Sequence, residues 1–375
     1  MKKICILMSD SLSYQTLAYE HLKSLSQLNA KVVCLYGGDY NRLKSSGLCD
    51  LAKFVDVQFT RKPNLINDLL TLFKCIFHLM FNRYDVVVYS TPKAMFIGAI
   101  ASFFTLQRNR HCLVRGRAYE NYIGIKRIFY EALDFFSFLF SSKVFFISNS
   151  LLKEYSKTKC FSFFEKSVIG NGSSKGVDTQ LFTSLSSDGI YSLREKYGFN
   201  LTDFVVCSVG RLCEDKGAKE LFEIIVALKE TNIKFLIVGQ VEDECGELVS
   251  KLEGNVRYIS HSDRVWEIFQ CSNMNLFLSH REGFGNVAIE SASCGVATLA
   301  FDVVGVQDSV ANRITGLLFD KHDVESIIFT IKNAYNNSSQ IIDSTHCRNY
   351  IIDNFDSEIV CDEYINTLYL IRGNV

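Results

Sequence analysis

The stretch SHREGFGNVAIESASCG, Ser279 to Gly295, carries two glutamates, Glu282 and Glu290, with seven residues between them. Gly283 and Gly285 follow the first glutamate, and a helical pattern opens near Asn286. The apolar run before it, NMNLFLSHR, reads as a strand. Strand, glycine turn and helix in that order form the unit of a parallel sheet, whose neighbouring strands need a crossover connection. Glycines let backbone approach a ligand closely. A helix start offers N–H groups and a positive dipole end to an anion. Carboxylates accept hydrogen bonds from hydroxyls, so a ligand with a phosphate at the helix start and sugars on either side would use all of these groups. The other reading is a helix with acidic residues near its start.

Working outward, FVVCSVGRL, IKFLIVGQ and VRYISHS precede this stretch as strand-like runs, and VATLAF follows it. The first half repeats the pattern with KICILMS, KVVCLYG, YDVVVYST, HCLVRGR and KVFFISNS, and residues 15–28 read as a helix. Uninterrupted apolar runs spaced by helices indicate strands buried on both faces, hence doubly wound α/β domains. VIGNGSSKGVD, residues 168–178, interrupts the series with glycines and serines and reads as a connector. The expected division is 1–168 and 169–354, with an amphipathic helix at about 355–375 returning to the first domain. Ligands of open α/β sheets bind beyond the carboxyl ends of the strands, so a cleft between two Rossmann-like halves is expected.

Composition narrows the function. At ~150 residues per domain, 375 residues fit two domains. Residues 1–180 hold 24 basic and 13 acidic side chains, a balance of +11, while residues 181–375 hold 16 and 28, a balance of −12. The basic half is expected to face something anionic: nucleic acid, a phosphorylated substrate or a membrane surface. Nucleic acid is disfavoured, because no aromatic-basic motif of the known modules is present. The thirteen cysteines form no C-x-x-C and no zinc-spaced cluster, which reads as reduced thiols in a cytosolic protein. MKKICILMSD turns polar too early for a signal peptide, and no apolar run reaches the ~18 residues of a membrane span.

SVGRLCEDKG, Ser208 to Gly217, places Arg211 and Lys216 just after a strand that ends at Gly210. A planar donor fork and a point charge suit a diphosphate; surface charges on a loop leading into a helix are the alternative. No P-loop pattern occurs, no G-x-G-x-x-G follows the first strand, and no D-x-D occurs anywhere.

GRLCEDKG, EGFGNVAIE and CGVATLAFDVVGVQDSV together resemble glycosyltransferase family 4, retaining enzymes of the GT-B fold. The paired glutamates look like that family's E-x7-E signature. Upstream, TPKAMFIGAIASF, VRGRAYENYIGIKRIFYEALD and VIGNGSSKGVDTQLF resemble the members that build lipid-linked bacterial glycans, including N-acetylgalactosaminyltransferases of the PglA type. The resemblance spans roughly residues 85–320.

It implies α/β architecture with two Rossmann-like domains and transfer of an N-acetylhexosamine or hexose from a nucleotide-sugar, UDP-linked by analogy. Arg211 and Lys216 would bind the donor diphosphate and stabilise the leaving nucleotide, together with Gly210. Glu282 would lie at the donor sugar, the backbone of Gly283, Phe284, Gly285, Asn286 and Val287 would contact sugar and phosphates, and Glu290 would hold the ribose. Ile259 and Val265 would flank the base. No bound metal and no cofactor are expected, in keeping with the missing D-x-D.

The acceptor implied is a polyprenyl-diphosphate-linked saccharide, held by the first domain at the cytoplasmic face of the membrane. Ser9, Ser11, Lys93, Arg115 and Arg117 are its candidate contacts. Many family members carry a histidine after a middle strand; here His111 stands at that strand's start and Arg115-Gly116-Arg117 at its exit. Arg115 either replaces the histidine or pairs with Glu120. The family's glycine loop after the first strand is replaced by SDSLSYQTLAYEHLK. Residues 67–83 and 128–143 are Phe-rich and read either as helices on an anionic membrane or as core helices. A nucleotide-sugar epimerase and a non-catalytic GT-B scaffold subunit remain as competing readings.

Overall fold

The computed structural model describes residues 1–370 except 61–62, 118, 121, 243–244, 251–253 and 338–339. It divides into two compact units, Met1–Lys175 with Ser357–Val375, and Gly176–Asp356.

The first unit is built on a seven-stranded parallel sheet. Its strands are β1 (Lys3–Leu7), β2 (Lys31–Tyr36), β3 (Lys53–Asp56), β4 (Val86–Ser90), β5 (Arg110–Val114), β6 (Lys143–Phe146) and β7 (Lys166–Val168), in the order β3-β2-β1-β4-β5-β6-β7. The second unit repeats the plan with β8 (Phe204–Val209), β9 (Ile233–Val238), β10 (Val256–Ile259), β11 (Met274–Phe277), β12 (Thr298–Phe301) and β13 (Gly316–Phe319), in the order β10-β9-β8-β11-β12-β13. Both orders run outward from the first strand in each direction, the Rossmann arrangement, and the α/β reading of two such domains holds. The central strands are buried along nearly their whole length, as in Ile4–Leu7 and Val86–Ser90. Helices on both faces exclude water, so hydrophobicity does not alternate.

Three strands escape the apolar-run reading. β3 and β7 are short, only partly buried edge segments, and β13 opens on Gly316, where an added Cβ would stand 2.0 Å from the carbonyl oxygen of Thr298. The single helix expected over 15–28 is two, Ser11–Leu17 and Tyr19–Gln27, parted at Ala18, whose φ of −129° is not helical. Asp10 starts the first of them by accepting a hydrogen bond from the N–H of Leu12.

The helix Ser357–Thr367 packs on the helix Tyr19–Gln27 in the first unit. Tyr364 stacks at 4.2 Å on the buried His21 and donates its hydroxyl to the carbonyl of Ser173. Residues 371–375 of the expected terminal helix lie outside the described residues. The Phe-rich helices resolve differently from a core pair. Leu65–Phe81 buries only Thr71, Cys75 and Leu79, while Leu65, Ile66, Leu70, Phe73, Phe77 and Phe81 are each more than half exposed. Gly124–Leu139 buries Ser137 and Phe138 and leaves Ile125, Ile128 and Phe129 in solvent. No described helix is long and apolar enough to cross a membrane. All thirteen cysteines are free thiols.

Candidate active site

In the second unit the strand order reverses between β8 and β11. Loops leaving these neighbours diverge, and the crevice between them is where open α/β sheets take ligands. Both motifs singled out in the sequence leave the sheet here.

The loop after β8 begins at Gly210 and turns against Gly239, where an added Cβ would stand 1.7 Å from the Gly210 carbonyl oxygen. The N–H of Leu212 donates to the carbonyl of Gln240 at 2.8 Å, which ties this loop to the one after β9. Arg211 is half exposed and pairs with Glu242 at 2.6 Å. Lys216 ends the short 3-10 turn Glu214–Lys216, and Gly217 follows with φ +71°. A Cβ on Gly217 would lie 2.2 Å from the carbonyl oxygen of Leu278. Only glycine lets the β8 loop lie so close to the β11 exit, and that approach brings Lys216 onto Glu282, with which it forms an ion pair. Asp215 in the same turn receives Arg281, and its carbonyl accepts the N–H of His280 at 2.9 Å. Two opposite-charge pairs therefore join the loops.

Glu282 lies five residues beyond the end of β11, not at its last residue. Its N–H donates to the carbonyl of Val304 at 3.3 Å, and Gly305, at φ +85°, packs against the Glu282 carbonyl. The helix Asn286–Ser293 begins after Gly285, whose φ of +92° and missing side chain leave the helix start without a side-chain cap. An added Cβ there would meet the Phe277 ring at 2.7 Å. Phe284 is buried against Phe355, so only its backbone is offered to a ligand. Glu290, one turn into the helix, is buried. Ile259, Val265 and Val287 are partly buried and pack on one apolar cluster with Val205, Cys207 and Val238. The geometry thus gathers two cations, two carboxylates, a helix start and an apolar wall around one sheet edge.

The first unit has its own reversal, between β1 and β4. Ser9 donates its N–H to Thr91 Oγ1 at 3.1 Å, and its hydroxyl lies 2.9 Å from the same oxygen. Ser11 is buried and gives its N–H to the carbonyl of Gly37, a packing role at a helix start. Lys93 pairs with Asp68 at 2.7 Å and donates to Thr60. Arg115 does not pair with Glu120; Arg117 does, at 3.2 Å, and also meets Glu154 at 3.3 Å. Arg115 gives its Nε–H to Ser90 Oγ at 2.9 Å, and its two terminal nitrogens are buried without a hydrogen-bond partner among the described residues. His111 sits at the amino end of β5 against the carbonyl of Leu368, and burial pushes its pKa down to about 4. It is a structural residue, far along the strand from the carboxyl edge.

Sequence reasoning missed a cavity of about 630 Å³ beside Ser9 and Lys93, walled by Phe96, Tyr119, Phe129 and Asp134. Burial raises the Asp134 carboxyl to about 7, although Tyr155 donates a 2.5 Å hydrogen bond to it. Its residues come from four separated segments, and no local pattern joins them.

Residues 190–353 match the family model of glycosyl transferases group 1. The chain is 33% identical over 317 residues to the capsular polysaccharide biosynthesis glycosyltransferase CapM of Staphylococcus aureus, covering 82% of each chain. It is 25% identical over 315 residues to the UDP-Gal:alpha-D-GlcNAc-diphosphoundecaprenol alpha-1,3-galactosyltransferase of Escherichia coli, covering 79% of this chain and 78% of that one. Among solved structures, Anabaena Alr3699/HepE in complex with UDP superposes with a TM-score of 0.80 at 18% identity, covering 99% of this chain and 100% of the other. That likeness is one of fold, and the fold is GT-B.

Proposed function

The chain belongs to the group 1 glycosyl transferases, and we propose that it moves an N-acetylhexosamine or hexose from a UDP-sugar to a polyprenyl-diphosphate-linked glycan, with retention of anomeric configuration. The product would enter a bacterial surface polysaccharide or a protein-linked glycan. The observation that carries this reading is the meeting of Lys216, Glu282 and the glycine-opened helix start at the β8/β11 reversal. The E. coli relative is named for a UDP-sugar donor and a diphosphoundecaprenol-linked acceptor, the S. aureus relative for capsule synthesis, and the Anabaena neighbour holds UDP. The E-x7-E spacing and the upstream segments support assignment to family 4 and to the PglA-like members.

In this reading the donor diphosphate takes Arg211 from Glu242 and Lys216 from Glu282. Negative charge grows on the leaving phosphate as the glycosidic bond breaks, and the two cations with the helix dipole are fixed where it grows. The released Glu282 carboxylate accepts hydrogen bonds from sugar hydroxyls. Glu290 accepts from the ribose, and Ile259 and Val265 cover one face of the base. The acceptor hydroxyl attacks from the face the leaving group departs, and its proton passes to the leaving phosphate oxygen as the glycosidic bond breaks. Two cations and a helix start neutralise the diphosphate, so transfer needs no metal.

The first unit takes the acceptor. Arg115, a cation whose two buried terminal nitrogens have no hydrogen-bond partner among the described residues, suits a phosphate or a sugar oxygen at the β5 exit. The exposed apolar side chains of Leu65–Phe81 and Gly124–Leu139, on a half of the chain with a charge of +11, suit the anionic cytoplasmic leaflet where such an acceptor lies.

The test is a panel of UDP- and GDP-sugars with a lipid-diphosphate-linked saccharide, with and without EDTA, the product's anomeric configuration read by NMR. Retained configuration, a UDP donor and EDTA-resistant turnover are expected. Transfer from GDP-sugars alone, inversion, or UDP binding without turnover would each overturn the corresponding part.

A further inference from the structure

Beside the donor loops, three side chains from distant parts of the second unit converge without a role in the transfer. Glu220 lies in the first turn of the helix Ala218–Leu228, His280 in the loop after β11, and His322 in the turn after β13. His280 Nε2 lies 2.8 Å from Glu220 Oε1, and His322 Nδ1 lies 2.7 Å from the same oxygen. The other carboxylate oxygen, Oε2, is buried with no hydrogen-bond partner among the described residues. Glu220 as a residue is 8% exposed. A buried carboxylate with one oxygen doubly engaged and the other unused is an incomplete arrangement, because each unsatisfied buried oxygen carries a desolvation cost.

We infer that Glu220, His280 and His322 form a binding site for a divalent first-row transition ion, of which Zn²⁺ is the representative. The three ligand atoms lie within 4.8 Å of one another. Two imidazoles and one carboxylate are a donor set that suits Zn²⁺ and its neighbours, whereas Mg²⁺ and Ca²⁺ prefer all-oxygen shells. Ligand atoms on a tetrahedral zinc stand roughly 3.3 Å apart. Widening the two N–O separations by about half an ångström, with the two imidazole nitrogens brought from within 4.8 Å to the same spacing, admits the ion. Both nitrogens then turn lone pairs inward, and the carboxylate can engage Oε2 as well. His322 is 58% exposed, which gives the ion access and leaves its outer position to water. Phe301 lies against both imidazoles and forms the apolar side of the site.

The position gives the ion a consequence. Glu220 follows the Arg211–Lys216 loop by one turn, and His280 stands two residues before Glu282. An ion held by all three ties the two donor loops to the β13 turn. Its part is to hold those loops, and the transfer chemistry does not pass through it, so this inference stands or falls apart from the proposed reaction.

The experiment uses the full chain without an affinity tag, stripped by chelation, in a Cys160→Ser background to remove the one exposed thiol. Zn²⁺ is titrated in competition with a chromophoric chelator, and Co²⁺ is added separately for its visible spectrum. One Zn²⁺ per chain is expected, with a rise in Tm of roughly 5 °C at saturating ion. Tetrahedral Co²⁺ bands without thiolate charge transfer are expected as well. His322→Ala, at an exposed position, is expected to weaken binding at least ~10-fold, and Glu220→Gln likewise. No stoichiometric binding, binding unchanged in His322→Ala, or a thiolate–cobalt band would each overturn the site.

Discussion

Replacing Lys216 by methionine keeps most of the aliphatic stem and removes the charge, and its consequences separate into two readouts. Lys216 and Glu282 are 24% and 17% exposed in their ion pair. Breaking a fully buried pair costs ~3–5 kcal/mol, and an exposed pair is worth ~0–1 kcal/mol. At this intermediate exposure, Lys216→Met is expected to cost about 1–2 kcal/mol of stability. Glu282→Gln added to it removes the stranded carboxylate and is expected to recover most of that loss. Catalysis should not recover, because the charge that meets the leaving phosphate is still gone. Losing one such preorganised group lowers kcat by ~10²–10³, or about 2.7–4 kcal/mol of barrier. The assay is steady-state transfer at saturating donor, with Tm measured on the same samples. A folded Lys216→Met enzyme with kcat within about threefold of the parent would refute the role of Lys216. A double variant that regains activity along with stability would show that the pair is only structural.

The remaining expectations are smaller. Glu290→Gln should raise the donor KM about tenfold with little change in kcat, since it weakens ribose binding alike in ground and transition states; an unchanged KM would remove Glu290 from the ribose. Arg115→Met should lower transfer while leaving Tm unchanged or raised, because the buried cation it removes has two terminal nitrogens without a hydrogen-bond partner among the described residues. A fall in Tm with normal transfer would make Arg115 a structural residue. Phe73→Ser with Phe77→Ser should leave Tm unchanged and weaken binding to anionic vesicles at least about tenfold, from the apolar area each ring buries. Equal vesicle binding would reject that surface. Asp134→Asn should alter the pH dependence of stability. Burial lowers His21 to about 3 and His111 to about 4, so in acid the unfolded chain takes up protons first and stability falls with pH below about 6.5. Asp134, raised to about 7, acts oppositely, losing stability as pH climbs from about 4 to 7. The variant should show a stability slope between pH ~4.5 and 6 steeper by about 1.4 kcal/mol per pH unit, and equal slopes would refute a protonated Asp134.

How much was legible depends on where each constraint resides. The strands read correctly, such as VVVYS and IKFLIV, are buried on both faces, and continuous hydrophobicity is what that environment demands. Edge segments such as KFVD and GLLF meet half of it, and three or four residues carry too little pattern. The Phe-rich helices were ambiguous for a related reason. LINDLLTLFKCIFHLMF is apolar on nearly every side, so periodicity cannot tell which stripe the sheet covers. Only neighbours decide, and among the described residues they fully bury Thr71, Cys75 and Leu79.

For the candidate site, the residue types and turn signals were legible locally and their pairing was not. The glycine turn, helix start and both glutamates sit within one short segment, and turn and helix signals act over such distances. The partner of Glu282 is Lys216, 66 residues away, and that of Arg211 is Glu242, 31 residues away. Those pairs exist because β8 neighbours both β9 and β11 in the sheet, and because Gly217 permits an approach that any side chain would block. Sheet order is set by packing over the whole unit, so a contact that depends on it leaves no mark near either residue. The same holds for Glu220, His280 and His322, whose spacings of 60 and 42 residues match no metal motif. Residue types therefore pointed to a diphosphate site on these loops, while the topology decides which of their charges are held against one another.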